Sequence, residues 1–153
     1  GLAIITSLSA DVFATSAKQF NLKADSIAEK VRDDINKRQA LVTADFTRNI
    51  YSEQATFQDE INTYPLEKYV AGTKALFDAD KSRVSIVGDV TATDAAINFR
   101  FQETLAFNIP FTPKVTLSGR VELTRDPVDG LIIKSREYWD QSPRDVLKTI
   151  KFK

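Results

Sequence analysis

Two glutamates fall in phase with apolar strand positions, and they are the first chemical signal in the chain. Read as a strand, Ala95–Phe107 puts Ala95, Ile97, Phe99, Phe101, Glu103 and Leu105 on one face. Read the same way, Gly130–Asp140 puts Leu131, Ile133, Ser135, Glu137 and Trp139 together. A carboxylate on an apolar face must be paired, hydrogen-bonded or neutral, because an isolated buried charge is too costly. Two readings stay open. In one, an interior cavity holds one or two working carboxylates. In the other, both acids lie near strand ends and reach solvent, or one pairs with an arginine; a bulge would also invert the phase.

Composition removes most other chemistry. The 153 residues contain no Cys and no His. That excludes disulfides, thiolate nucleophiles, the Ser-His-Asp triad, imidazole acid–base catalysis and His- or Cys-ligated metals. Neither a metal nor another cofactor is expected. Carboxylates, Tyr, Lys, Arg, Ser and Thr are what remain. Lys+Arg and Asp+Glu number 21 each, for zero formal net charge, which argues against a nucleic-acid binder working by bulk charge. With 42% hydrophobic and 27% charged residues, the chain reads as one globular domain. No apolar run approaches the ~20 residues that span a bilayer, so no integral membrane segment is expected.

The elements that must position the acids follow from periodicity. Residues 1–23 read as an N-terminal arm, loosely docked or anchored to a partner, and 24–153 as a single domain. No Met occurs, so Gly1 reads as the product of processing, after loss of a targeting segment. Ile27, Val31 and Ile35, four apart, predict an amphipathic helix from Ala24 to about Leu41, with Ser26 and Glu29 as a capping box. A shorter helix is expected over Phe46–Ser52, a short strand over Ala55–Asp59, and a helix from Pro65 through Phe77. Alternation then predicts strands at Arg83–Val90, Ala95–Phe107, Lys114–Arg125 and Gly130–Asp140, with a hairpin signal at Asp129-Gly130. Ser142-Pro143 starts a last short helix. Helices first and an antiparallel meander last predict an α+β fold, a curved sheet wrapped over helices. The outward phases, with Arg100, Arg120, Arg136 and Glu122, predict a charged ladder. Between two strands, Phe107, Ile109 and Phe111 make an unusually apolar loop. It reads either as a plug for one end of the roll or as a lip for an apolar ligand, a partner or a membrane surface.

Order and spacing carry a resemblance. Ile50-Tyr51-Ser52, then Ala55-Thr56-Phe57-Gln58-Asp59-Glu60, then Tyr69 and Gly72 stand in sequence. Phe107-Asn108-Ile109-Pro110-Phe111, Gly119-Arg120-Val121-Glu122-Leu123, Gly130-Leu131-Ile132 and Glu137-Tyr138-Trp139-Asp140 follow. Over roughly residues 24–150 this resembles the small plastid and cyanobacterial members of the nuclear-transport-factor-2-like (SnoaL-like) superfamily. The resemblance implies a cone-shaped roll, four to five antiparallel strands packed on N-terminal helices, with a pocket between them. It also implies a plastid location, in the stroma or at the thylakoid.

Enzymes of the superfamily often place His-Asp or Tyr-Asp in that pocket, and the absence of His excludes the first. Tyr51, Phe57, Asp59, Tyr69, Phe101, Glu103, Glu137 and Trp139 are then the expected ligand-binding set, and Phe107, Ile109 and Phe111 the partner-binding set. Two functions are carried forward. One is a non-catalytic module that holds an apolar ligand, or an accessory subunit of a larger, thylakoid photosynthetic assembly. The other is a cofactor-free lyase or isomerase in which Asp59 or Glu137 takes a proton and Tyr51 or Tyr69 donates to the oxyanion. A homodimer and peripheral membrane contact stay open as partners, and nucleic acid does not.

Overall fold

In a computed structural model, residues 17–152 are described; the processing and most of the arm expected at the N-terminus lie outside them. The first amphipathic stretch forms helix α1 over Ala24–Asn36 and buries Ile27, Ala28, Val31 and Ile35. It begins at Ala24 behind Lys23, with no side-chain cap, so the Ser26–Glu29 capping box does not form. It stops short of Leu41 because Gln39 adopts a left-handed conformation (φ 58°). The Gln39 amide donates to the carbonyls of Ile35, Asn36 and Val84, and its oxygen accepts the Val84 N–H. One polar side chain thus ends the helix and ties it to the strand that carries Val84, β3 (Arg83–Ala92). A short helix α2 follows over Ala40–Thr43.

The helix expected over Phe46–Ser52 shrinks to a single 3-10 turn, Arg48–Ile50. Asp34, buried on α1, accepts both the Thr47 N–H (2.8 Å) and the Thr47 hydroxyl (2.7 Å), which holds the chain out of α geometry. Strand β1, Tyr51–Gln58, starts at once. Strand β2 (Thr63–Pro65) returns beside it, and helix α3 runs over Leu66–Leu76 with Pro65 as its cap rather than its first residue. Strands β3 (Arg83–Ala92), β4 (Ala96–Ala106), β5 (Lys114–Arg125) and β6 (Ile132–Trp139) follow, then helix α4 over Pro143–Leu147. Ser142 caps α4 by accepting the Asp145 N–H.

The fold is α+β, with one curved sheet in the order β2-β1-β6-β5-β4-β3. It has six strands rather than four to five, and it is mixed, because β1 lies parallel to β6. Alternation along each strand cannot reveal such a pairing, since it fixes faces and not neighbours. The β4 and β5 phases hold throughout. In β6 the phase slips. Arg125 faces Ile132 while Thr124 faces Lys134, so Ile133 is an extra residue and Ile132 turns inward, fully buried.

Asp129-Gly130 belongs to a longer connection, closed by Gly130 N–H to the Asp126 carbonyl. Buried Arg125 donates to the carbonyls of Gly130, Thr93 and Leu22 there. On the outer face the expected ladder is broken by an aromatic: Tyr138 lies between the guanidinium groups of Arg120 (4.0 Å) and Arg136 (4.3 Å). The apolar core fills the concave side of the sheet, under α1, α2 and α3.

Candidate functional site

Where the concave sheet meets α3, the core opens into a cavity of about 170 Å³. Glu103 on β4 and Glu137 and Trp139 on β6 form its floor. Tyr69, Gly72, Thr73 and Leu76 on α3 form the opposite wall, and Asp59, Tyr64 and Lys68 stand at the β1–β2–α3 end. Leu41, Phe77 and Leu105 complete the lining with apolar side chains.

Register explains why two acids meet here. On the inward row of β5, Leu117 faces Glu103, Gly119 faces Phe101 and Trp139, and Val121 faces Glu137. The two carboxyl groups lean diagonally across β5, past the glycine, close enough for the charge of one to act on the other. A Cβ at residue 119 would be driven into the Tyr138 carbonyl oxygen, so β6 closes on β5 at this point only because residue 119 has no side chain.

Burial sets the electrostatics. It pushes the Glu103 carboxyl well above the usual range, and the charge of Glu137 pushes it further. Burial and then the charge of Asp59 raise Glu137 to about 7, against the opposing pull of Trp139, Glu103 and Arg136. Near neutrality the pair therefore holds at least one proton, because two adjacent buried carboxylates cannot both ionise. Tyr69 is held protonated by burial and by both glutamates, with Thr73 in hydrogen-bonding reach. Glu103 Oε2 and Trp139 Nε1 are buried and have no hydrogen-bond partner among the described residues. Together these groups supply a proton donor, a carboxylate acceptor and an N–H inside one chamber of mixed apolar and polar lining.

The expected site residues divide by place. Asp59, Tyr69, Glu103, Glu137 and Trp139 converge on the cavity. Asp59 lines the cavity while its Oδ1 accepts the N–H groups of Ile61 and Asn62, so it also stabilises the turn after β1. Phe57 borders a side recess of about 20 Å³ and stacks on Tyr69 at 4.1 Å. Tyr51 sits deeper, stacked on Phe57 at 5.9 Å and packed on Phe46 at 4.6 Å, away from the glutamates. Phe101, opposite Gly119, is fully buried core and is not among the residues lining the Glu103–Glu137 cavity. Of the loop, Phe107 packs on Phe77 at 5.8 Å, while Ile109 and Phe111 face solvent. Among the lining residues not expected from sequence, which include Tyr64 and Lys68, the one facing Tyr69 is Thr73. Its signal was a polar side chain one turn after Tyr69 on the same helix face.

No protein-family model matches the chain, and no curated protein matches it. Solved structures do. A SnoaL-like polyketide cyclase from Jannaschia sp. CCS1 superposes with a TM-score of 0.63, covering 86% of this chain and 96% of its own at 14% identity. The chain has the SnoaL-like, nuclear-transport-factor-2-like fold. An LEH-like epoxide hydrolase from M. tuberculosis shares it at a TM-score of 0.58, with 14% identity over 82% of this chain and 90% of that one. A protein of unknown function with a cystatin-like fold from Methylobium petroleophilum PM1 does so at 0.57, with 14% identity over 79% and 80%. At such identity the likeness speaks for the SnoaL-like fold and not for its chemistry.

Proposed function

We propose that the chain binds a small, mostly apolar molecule bearing one oxygen function, and that Glu103, Glu137 and Trp139 grip that oxygen. One observation carries the reading: Glu103 Oε2 and Trp139 Nε1 are orphaned polar atoms in the lining of the same cavity. A buried polar group left unpaired costs about 1–3 kcal/mol, and a ligand oxygen set between these two removes that cost. The volume, about 170 Å³, suits a single substituted ring, since a cavity of about 150 Å³ takes benzene.

Acetophenone and toluene, titrated by ligand-detected NMR, test the reading. The ketone should bind saturably and more tightly than the hydrocarbon, and Trp139→Phe should weaken it about fivefold. Equal affinity for both probes would refute the oxygen grip. A binding role without turnover is the reading these groups favour. The plastid location and an accessory place in a larger photosynthetic assembly are proposals resting on the motif resemblance.

The proton shared by Glu103 and Glu137 favours a second reading, a cofactor-free isomerase or lyase. Glu137 would take a proton beside a carbonyl, while protonated Glu103 or Tyr69 donates to the oxygen. Conversion of a β,γ-unsaturated cyclohexenone to its conjugated isomer, lost in Glu137→Gln, is the result that would support it. Saturable ketone binding with no conversion would eliminate it.

A further inference from the structure

The apolar loop between β4 and β5 ends in a crest left exposed among the described residues. Phe107 N–H bonds the Pro113 carbonyl and Asn108 N–H bonds the Leu76 carbonyl, which closes the loop against α3. Beyond that closure Ile109 is 58% exposed and Phe111 83% exposed. Phe111 and Thr112 both take left-handed backbone angles (φ 69° and 43°), unfavourable for such residues, and these turn the Phe111 ring away from the body. The C-terminal residues run alongside. Lys114 and Lys151 exchange backbone hydrogen bonds (2.7 and 2.9 Å), which sets Phe152, 65% exposed, next to Pro113.

Cations rim this crest. Lys81 reaches the Thr112 hydroxyl at 3.4 Å, and Lys114 and Lys151 flank Phe152. None of these three has an ion-pair partner among the described residues. The acids nearby are Asp145, paired with Lys148, and Asp78 and Asp80 in the turn before β3. Asp78 accepts the Asp80 and Lys81 N–H groups.

We propose that this crest docks the chain on an anionic lipid surface, with Ile109, Phe111 and Phe152 entering the acyl boundary and the three lysines at headgroup level. Lysine is depleted from the centres of protein–protein interfaces. Protruding aromatics ringed by lysine fit a lipid surface instead, because long cationic stems reach up to phosphates while the rings sink. Few apolar groups and a modest charge cluster together give weak, reversible binding that neither supplies alone.

Flotation with vesicles of phosphatidylcholine alone, and with about 30 mol % phosphatidylglycerol, tests this on the full chain. Binding should need the anionic lipid and fall steeply at ~0.5 M NaCl, where charge is screened. Ile109→Ser with Phe111→Ser should lower it at least about tenfold, because two buried anchors are lost. In Phe111→Trp, indole emission should shift to the blue on adding anionic vesicles. No binding at low salt, binding unchanged by the serine pair, or no emission shift would overturn the proposal. A protein partner would give those same negative results. Glu103→Gln should leave vesicle binding intact, so cavity occupancy and docking can fail separately.

Discussion

Glu103 and Glu137 belong to strands that are not neighbours, yet their carboxyls meet across β5 above Gly119. They are acids that the fold stabilises in the neutral state, and this gives the protein an unusual dependence on pH. In the unfolded chain each acid ionises near its ordinary value of 4.5, whereas in the fold burial raises Glu137 to about 7 and holds Glu103 well above its ordinary range. The unfolded state therefore binds fewer protons between these values, and stability falls as pH rises. The contribution is fully present below about 4.5 and is lost through about 7, roughly 3 kcal/mol for Glu137 alone. Glu53, lowered to about 2 by Arg48 and then Lys18, acts in the opposite sense at low pH, but it is exposed and its effect is small. Urea unfolding should show greater stability at about pH 5 than at about pH 8, and Glu137→Gln should flatten the profile. A wild-type profile that rises from pH 5 to pH 8 would show that the pair is not neutral in the fold.

Gly119→Ala should cost about 2–4 kcal/mol, because the new methyl group collides with backbone and not with a side chain that can move. The loss should come with weaker acetophenone binding in whatever folded protein remains, since Trp139 and Glu137 lie on the displaced strand. Thermal unfolding together with titration checks both.

Gln39→Ala removes three donated hydrogen bonds and the acceptor for the Val84 N–H at once, inside a buried site. A loss of about 2–4 kcal/mol is expected. Hydrogen exchange should report it locally, with faster exchange of Val84 and Ile86, whose amides bond to the Gln39 and Asn36 side chains.

Gly72 offers the opposite case. It lies within α3, lines the cavity, and a Cβ there would meet nothing within 4 Å. Gly72→Ala should raise stability by about 0.5–1 kcal/mol through helix propensity. Gly72→Leu should keep the melting temperature while cutting acetophenone affinity at least about tenfold, because the side chain fills the chamber. Full affinity in Gly72→Leu would place the ligand elsewhere.

Much of the site was readable because strand alternation is a two-state code. Once Glu103 and Glu137 were assigned to apolar phases, only the flanking of β5 by β4 and β6 was needed to bring them together. What escaped was non-local or conformational. The Ile133 bulge, the parallel β1–β6 pairing and the left-handed Gln39 leave no periodic trace. An acid after a first strand looks the same in sequence whether it stabilises a turn or faces a cavity, and Asp59 does both.

The parallel pairing also bears on how the molecule assembles. Apart from three-residue β2, the first strand has no partner until the sixth has been made, some eighty positions later along the polypeptide. As the chain leaves a ribosome, its leading half can curl into helices but has no sheet edge to join. The decisive step of folding therefore waits for the tail, and a nascent chain halted before β6 would carry its apolar face uncovered, a natural client for chaperones.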